Sequence, residues 1–174
     1  GYRSRAAFKL HQINKKFKIL KKGFCVMDLG SSPGGWSQVA KELVGDSGEV
    51  FALDIIPMKP INGVKFIEYD FRDKDIKKFI NLNFNVVISD IAPNITGIAI
   101  TDRENMLELL NNVVSFCNSF LLKGGSLIAK CFDSSRNELK KSLSNQYSNV
   151  IFFKPDASRK ISKEIYVIAQ NKLK

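Results

Sequence analysis

Residues 28–35 read Asp-Leu-Gly-Ser-Ser-Pro-Gly-Gly and directly follow a short apolar run at residues 24–28. In open α/β sheets, ligands bind beyond the carboxyl ends of the strands, and the first strand-to-helix turn contacts them. Glycines let such a turn pass close to a ligand. The spacing matches neither G-x-G-x-x-G nor G-x-x-x-x-G-K-[ST], the patterns that bind dinucleotides and nucleoside triphosphates. We therefore interpret residues 28–35 as a loop that holds a nucleoside cofactor without a pyrophosphate.

Acidic residues follow the next two predicted strands. Asp54 ends the strand predicted at residues 49–54, and Asp70 follows the one predicted at 64–69. A carboxylate at the end of the second strand is placed to bind ribose hydroxyls. Asp70, one strand further, is placed to meet the edge of an adenine. The pattern indicates an adenosyl group.

The rest of the chain alternates strand-like and helix-like segments. Predicted strands lie at residues 24–28, 49–54, 64–69, 85–90, 126–132, 150–153 and 164–170, and predicted helices at 4–21, 36–44, 73–80, 102–122 and 137–147. Such alternation predicts an α/β fold with a mostly parallel sheet and helices on both faces. No helix separates the last two strands, so we expect a hairpin that contains one antiparallel strand. The 174 residues suit one domain, residues 1–174.

The net charge of +10 is concentrated at the start of the chain. Eight of the 27 basic residues and none of the 17 acidic residues lie within residues 1–22, so the remainder is almost balanced. The apolar residues of this segment recur every three to four positions and predict a basic amphipathic helix. A concentrated basic segment is typical of a protein that binds a polyanion such as nucleic acid. The alternative is a solvated, lysine-rich helix without a partner.

Composition argues against several classes of protein. Cys25, Cys117 and Cys131 lie in apolar runs and are expected to be reduced core residues. One histidine and no Cys-x-x-Cys predict no metal site. No apolar run approaches the roughly 20 residues of a membrane span, and no signal-peptide pattern is present, so we expect neither membrane insertion nor secretion. Gly1 stands where an initiator Met would be, which indicates a trimmed chain from which a targeting segment could have been removed.

Four polar residues are candidates for chemistry. Asp90 follows the apolar run at residues 86–88, and Lys130 lies inside an apolar strand, where a charge is costly without a partner. Strand alternation places Lys130 on one face with Ile128; the alternative is an edge lysine that points to solvent. Taken alone, Glu164 is a strand-end acid and Lys9 is one helix lysine among several.

Together, eight segments resemble the FtsJ/RrmJ (RlmE-type) family of ribose 2′-O-methyltransferases, in the family's order and over nearly the whole chain. They are RSRAAFKL (3–10), DLGSSPGGWSQ (28–38), DIIPMKPINGV (54–64), YDFRD (69–73), SDIAPNITG (89–97), GGSLIAKCF (124–132), KPDASR (154–159) and SKEIYVIA (162–169). The resemblance implies a Rossmann-like class I methyltransferase fold, a seven-stranded sheet with its last strand antiparallel, and S-adenosyl-L-methionine as cofactor.

The resemblance also implies the site residues. The family's catalytic Lys-Asp-Lys-Glu set falls on Lys9, Asp90, Lys130 and Glu164. Its cofactor contacts fall on Gly30, Ser31, Pro33, Gly34, Gly35, Trp36, Asp54, Ile55, Asp70, Phe71 and Asp90. This chain departs from bacterial members at Ser31-Ser32, where they commonly have two alanines, and in shorter segments at 73–85 and after Phe132. Those shorter segments put RNA contacts from the two loops in doubt.

Two roles for Lys130 are open. Burial and the nearby Lys9 would favour a neutral Lys130 that acts as a base toward the ribose hydroxyl. The two acids would instead keep it charged, so that it acts by orientation and proximity. In both cases Lys9 and Glu164 position the ribose, and Asp90 bridges the cofactor and the lysine.

The expected substrate is RNA, docked on Arg3, Arg5, Lys15, Lys16, Lys18, Arg159 and Lys160. The resemblance implies a uridine ribose of large-subunit ribosomal RNA, within an assembled or assembling subunit. The alternatives are a tRNA anticodon-loop 2′-O-methyltransferase, an RNA-binding ribosome assembly factor without turnover, and a dehydrogenase on the same fold. We expect a monomer that acts in the cytoplasm or in an organelle such as the mitochondrion.

Overall fold

A single sheet of seven strands organises the chain, of which the computed structural model describes residues 1–174. The strands are β1 (Cys25–Leu29), β2 (Glu49–Asp54), β3 (Val64–Glu68), β4 (Phe84–Ser89), β5 (Leu121–Phe132), β6 (Tyr147–Phe153) and β7 (Glu164–Lys172). The helices are α1 (Ala6–Phe17), α2 (Gly35–Val44), α3 (Ala99–Phe120) and α4 (Arg136–Leu143). Short 3₁₀ turns lie at Lys74–Lys78 and Asp133–Ser135.

The strand order is β3-β2-β1-β4-β5-β7-β6, and only β7 runs antiparallel to its neighbours. This confirms the predicted fold, a mostly parallel sheet with one antiparallel strand. The chain turns outward from β1 in one direction through β2 and β3, and then returns to pair β4 on the other side of β1. The order therefore reverses between β1 and β4, which is where α/β sheets form a ligand crevice.

The two faces of the sheet are covered by different helices, and successive side chains of each strand point to opposite faces. Val26, Ile88 and Ile128 pack with α1 and α2, whereas Met27 and Leu127 pack with α3 and α4. Because side chains alternate along a strand, Lys130 lies on the face of Ile128, under α1 and α2. The predicted placement of Lys130 on that face is confirmed.

Several predicted element ends are wrong. The first helix, predicted at residues 4–21, ends at Phe17, because Lys18 takes a left-handed conformation and the Asn14 side chain accepts hydrogen bonds from Ile19 N and Leu20 N. The helix predicted at 137–147 ends at Leu143 and gives way to β6.

The predicted helix at 102–122 and strand at 126–132 leave the glycines at residues 124–125 in a connection between them. In the structure these glycines do not form such a connection. They lie inside β5, which begins at Leu121 and shifts register against β4 at this point. The helix predicted at 102–122 accordingly runs from Ala99 to Phe120, and the one predicted at 73–80 is a 3₁₀ turn. None of the helices combines the length and apolarity that a membrane span requires.

Candidate functional site

A first cleft of about 640 Å³ opens beyond the carboxyl ends of the central strands. Three acids at the carboxyl ends of strands face it: Asp54 ends β2, Asp70 lies shortly after β3 and Asp90 directly follows β4. Six of the predicted cofactor residues line it: Gly30, Asp54, Ile55, Asp70, Phe71 and Asp90. The opposite wall carries Asn105, Glu108 and Asn112 of α3, which no sequence signal had indicated. We call this space the strand-end cleft.

Gly30 lets the loop after β1 pass close to the segment after β4. Its φ is +71°, and a Cβ added there would lie 2.8 Å from the Cβ of Ile91. Both conditions exclude a side chain, so the glycine is required for the shape of the strand-end cleft.

The other predicted loop residues do not line the strand-end cleft. Gly34, at a φ of +120°, and Pro33 lie beside Arg3, and a Cβ on Gly35 would collide with Ser4. Ser31 is buried, and its hydroxyl has no hydrogen-bond partner. This half of the loop therefore contacts the N-terminal segment.

Trp36 is buried between the cofactor loop and α1. Its indole N–H donates to the carbonyl of Ala6 at 2.8 Å, and its ring centroid lies 5.5 Å from that of Tyr166. With 3% of its surface exposed, Trp36 joins α1 to the sheet.

Asp54 and Asp70 already have partners within the protein. The Asp54 carboxylate accepts hydrogen bonds from the N–H groups of Ser32 (2.9 Å) and Ile56 (3.0 Å), which fixes the loops on both sides of it. The Arg72 guanidinium forms two hydrogen bonds of 3.0 Å with Asp70 and holds the pKa of that carboxyl below its ordinary value. Asp70 therefore faces the strand-end cleft as part of an ion pair.

A second cleft, of about 600 Å³, lies between α1 and the segment at residues 155–163. Lys9 and Glu164 line it, with Arg5 and Arg159 at its walls. We call this space the basic cleft. Asp90 lines the first cleft and Glu164 lines the second.

Lys130 bridges the two acids. Its Nζ lies 3.3 Å from Asp90 Oδ1 and 3.4 Å from Glu164 Oε2. The exposed fractions of the side chains are 11% for Lys130, 17% for Asp90 and 30% for Glu164, so the group is recessed from the surface. Three of the four predicted catalytic residues are thus in direct contact.

Tyr166 completes this cluster, and sequence reasoning missed it. It stands opposite Lys130 in the β5–β7 pairing, and its hydroxyl donates to Asp90 Oδ1 at 2.5 Å. The available signal was its position two residues after Glu164, which places both side chains on one face of β7.

Burial dominates the electrostatics of these groups. Burial raises the pKa of Asp90, although the Lys130 charge and the Tyr166 hydrogen bond act in the opposite direction. Burial, followed by the Asp90 charge, raises the pKa of Tyr166, which stays a hydrogen-bond donor. In β1, burial raises the pKa of Asp28 to about 8, despite a 2.7 Å hydrogen bond from Ser37.

Lys9 reaches the site from α1. It lines the basic cleft with Glu164 and makes no direct ion pair with Asp90 or Glu164. Its charge partly opposes the effect of burial, which raises the pKa of Asp90. The hydrogen bond from Ala157 N to Gln12 Oε1, at 2.9 Å, connects α1 to the opposite wall of the cleft.

The residues predicted to bind RNA fall into three groups. Arg5 and Arg159 line the basic cleft, and Lys160 is exposed beside Arg159. Lys15, Lys16 and Lys18 are exposed at the end of α1, where Lys16 Nζ lies 5.0 Å from the ring centroid of Phe153. The Arg3 guanidinium instead donates to the carbonyls of Pro33, Lys59 and Pro60, so it fastens the N-terminal segment to the cofactor loop.

Comparison with known proteins agrees with this geometry. A model of FtsJ-like methyltransferases matches residues 2–172. The ribosomal RNA large subunit methyltransferase E of Neisseria gonorrhoeae is 44% identical over 99% of this chain and 86% of its own length. The protein of the same name from Wigglesworthia glossinidia brevipalpis is 45% identical over 98% of this chain and 86% of its own. A crystal structure of a Plasmodium falciparum protein described as a ribosomal RNA methyltransferase superposes with a TM-score of 0.89, at 30% identity and 99% coverage of both chains.

Proposed function

Because the chain belongs to the FtsJ-like methyltransferase family, we propose that it transfers a methyl group from S-adenosyl-L-methionine to a ribose 2′-hydroxyl of large-subunit ribosomal RNA. The observation that carries the proposal is Lys130, which contacts one acid from each of two clefts, the first lined by three strand-end acids and the second by basic residues. A methyl transfer from a small cofactor to an RNA requires both reactants to be held in the right geometry at one point.

The strand-end cleft suits the cofactor. Asp54 and Asp70 offer carboxylate oxygens at the positions expected for a ribose and an adenine, and Gly30 gives the backbone close access. The other predicted cofactor contacts lie in or next to the same loop but outside the lining of the cleft, and their contacts with the cofactor stay predictions: Ser31, Pro33, Gly34, Gly35 and Trp36. When bound, the cofactor supplies a methyl group activated by a sulfonium.

The basic cleft suits the RNA. Arg5 and Arg159 face each other across it, and arginine is well suited to bind phosphate through paired hydrogen bonds. The relatives named as large-subunit ribosomal RNA methyltransferases support ribosomal RNA as the substrate, and a uridine as the target stays a prediction. Their bacterial origin favours the cytoplasm as the site of action; a mitochondrial location and a monomeric state stay predictions.

Lys130 is the residue that we place against the 2′-hydroxyl. Its ion pairs with Asp90 and Glu164 favour the second of the two predicted roles, in which a charged Lys130 orients the hydroxyl oxygen. Asp90, fixed by Tyr166, faces the strand-end cleft and aligns the two reactants. Lys9 and Glu164, on opposite walls of the basic cleft, hold the ribose. When the hydroxyl oxygen takes the methyl group, its proton would pass to the carboxylate of Asp90 or Glu164, the two acids that contact Lys130.

The test is methylation of purified large ribosomal subunits with isotopically labelled S-adenosylmethionine, followed by mass-spectrometric mapping of the modified nucleotide. We expect one 2′-O-methylated nucleotide in large-subunit RNA and none with a Lys130→Ala variant. Label confined to a tRNA anticodon loop would refute the substrate, and RNA binding without any methylation would indicate an assembly factor. A Lys130→Ala variant with near wild-type activity would refute the assigned role.

A further inference from the structure

The rim of the basic cleft carries an exposed apolar side chain. Ile161 is 91% exposed, the highest value among the large apolar side chains that the fold leaves exposed. It lies in a turn closed by a 3.0 Å hydrogen bond from Ser162 N to Arg159 O, and it lines the cleft together with Lys9 and Glu164. The core does not explain this position, because Ile161 packs into neither hydrophobic cluster.

The turn that presents Ile161 is braced from below. The Lys154 ammonium donates to the carbonyls of Lys160 (2.9 Å) and Ser162 (2.8 Å), the residues on either side of Ile161. Ser162 Oγ also accepts a hydrogen bond from Glu164 N at 3.1 Å, which connects the turn to the start of β7. The backbone is thus held in place while the side chain remains in solvent, an arrangement expected of a preorganised contact.

The surroundings of Ile161 select a nucleic acid as its partner. Arg159, Lys160 and Lys163 flank it and Arg5 faces it across the cleft, so the cations around Ile161 outnumber the two nearby acids, Asp156 and Glu164. When the surrounding cations bind the phosphates of a nucleic acid, the apolar surface that remains available to the Ile161 side chain is that of a nucleobase. Isoleucine is among the side chains that insert between base steps when proteins unstack a duplex.

The depth of the reaction site requires such an unstacking. Lys130 is only 11% exposed and lies between the two clefts, so a ribose stacked within a helix cannot bring its hydroxyl to Lys130. The basic cleft, at about 600 Å³, has room for one nucleotide. Enzymes that cannot reach their target atom within a duplex extrude the nucleotide from the stack.

We propose that Ile161 is a wedge that stacks on the base next to the target and holds the stack open while the target nucleotide enters the basic cleft. This inference rests on the proposed RNA methylation, and it extends the substrate to nucleotides in base-paired RNA. Ile161 makes no contact with the reacting atoms; it is a positioning residue.

The test compares two preparations of unmethylated large ribosomal subunits that carry the mapped target uridine. In the first, called the unpaired RNA, the target segment is free, and in the second, called the paired RNA, it is annealed to a complementary oligonucleotide. We expect Ile161→Ser to lower kcat/KM on the paired RNA about tenfold, because only the paired target must first be unstacked, and to leave kcat/KM on the unpaired RNA within about twofold. Ile161→Leu keeps an apolar side chain and should retain the kcat/KM of the unaltered protein on the paired RNA. Ile100→Ser is the matched control, because Ile100 is 73% exposed and lines neither cleft.

A binding measurement supplies the second readout. With S-adenosylhomocysteine present to prevent turnover, 2-aminopurine placed opposite the target uridine should brighten on binding the unaltered protein and not on binding Ile161→Ser. Equal losses of activity on paired and unpaired RNA, or an unchanged fluorescence rise in Ile161→Ser, would overturn the wedge. An absence of methylation on both RNAs with the unaltered protein would instead overturn the proposed function.

Discussion

Replacing Lys130 with methionine should destabilise the protein in a manner that depends on pH. The substitution keeps an unbranched side chain of similar length and removes the charge that lies 3.3 Å from Asp90 and 3.4 Å from Glu164. Asp90, which is 17% exposed, then keeps its negative charge in a recessed position with only the Tyr166 hydroxyl as a partner.

The magnitude follows from the environment of the two acids. Breaking a buried ion pair by removing one partner costs about 3–5 kcal/mol, because the other charge remains uncompensated. The lower end of this range of free energies applies here for two reasons. Tyr166 still donates a hydrogen bond to Asp90, and Glu164 remains partly hydrated because 30% of its side chain is exposed. We expect a loss of about 3 kcal/mol near neutral pH. With a urea dependence of about 2 kcal/mol per molar, this lowers the unfolding midpoint by about 1.5 M.

The sign of the pH effect is set by Asp90, whose folded-state pKa lies above its ordinary value of 3.8 because of burial. An acid with a raised pKa stabilises the folded state in its protonated form, and that contribution is lost as pH rises through the folded-state pKa. Without Lys130 the pKa of Asp90 rises further. The stability difference between Lys130→Met and the unaltered protein should therefore be smaller at about pH 5 than at about pH 8.

Urea denaturation followed by circular dichroism at both pH values measures this difference. Adding Asp90→Asn to Lys130→Met removes the uncompensated charge and should recover most of the lost stability without restoring methylation. The reasoning is refuted if the deficit is the same at both pH values, or if the double variant is no more stable than Lys130→Met alone.

Three further predictions concern the two clefts. Gly30→Ala should weaken binding of S-adenosylhomocysteine at least tenfold by calorimetry, because a positive φ strains alanine by about 1–2 kcal/mol and the new Cβ displaces Ile91 into the strand-end cleft. Gly97 has a positive φ too but lies in open space, so Gly97→Ala should bind S-adenosylhomocysteine normally. Equal effects of the two substitutions would contradict the explanation. Tyr166→Phe should lower the single-turnover methylation rate about tenfold through loss of a hydrogen bond to a charged group, which contributes about 1.5–3 kcal/mol; an unchanged rate would leave Tyr166 with a packing role only. RNA affinity should fall steeply with salt, and Arg5→Ala should reduce the log–log slope by about one. Lys140→Ala, on α4 at the other face of the sheet from α1, should leave the slope unchanged; a flat titration would exclude phosphate contacts as the source of binding.

Local patterns in the sequence predicted the parts of the site that depend on strand ends and strand alternation. Asp54, Asp70 and Asp90 each follow an apolar run, and parallel strands bring their carboxyl ends to one edge of a sheet. The orientation of Lys130 followed from its spacing to Ile128. The family resemblance, rather than any local pattern, brought Lys9 and Glu164 into the same set.

Contacts that join distant segments could not be predicted in this way. The Tyr166–Asp90 hydrogen bond spans 76 positions, and the Arg3 guanidinium is occupied by carbonyls from the segment after β2. The contacts of the Trp36 indole with the Ala6 carbonyl of α1 and the Tyr166 ring of β7 were likewise not visible in the sequence, and its role as a cofactor contact stays a prediction. The end of α1 depended on the Asn14 side chain competing for backbone N–H groups, which helical periodicity does not register.

The position of β7 links catalytic competence to the completion of folding. This strand comes last in the chain but lies inside the sheet, between β5 and β6. Until it inserts, β5 has an open edge, β6 has no partner strand, and Lys130 lacks both Glu164 and the tyrosine that fixes Asp90. We therefore expect partly synthesised or partly unfolded chains to lack methylation activity, and their exposed strand edge makes them targets for chaperones and proteases. Methylation activity thus reports on the fully closed sheet, and its recovery after denaturation should follow the slowest step of refolding.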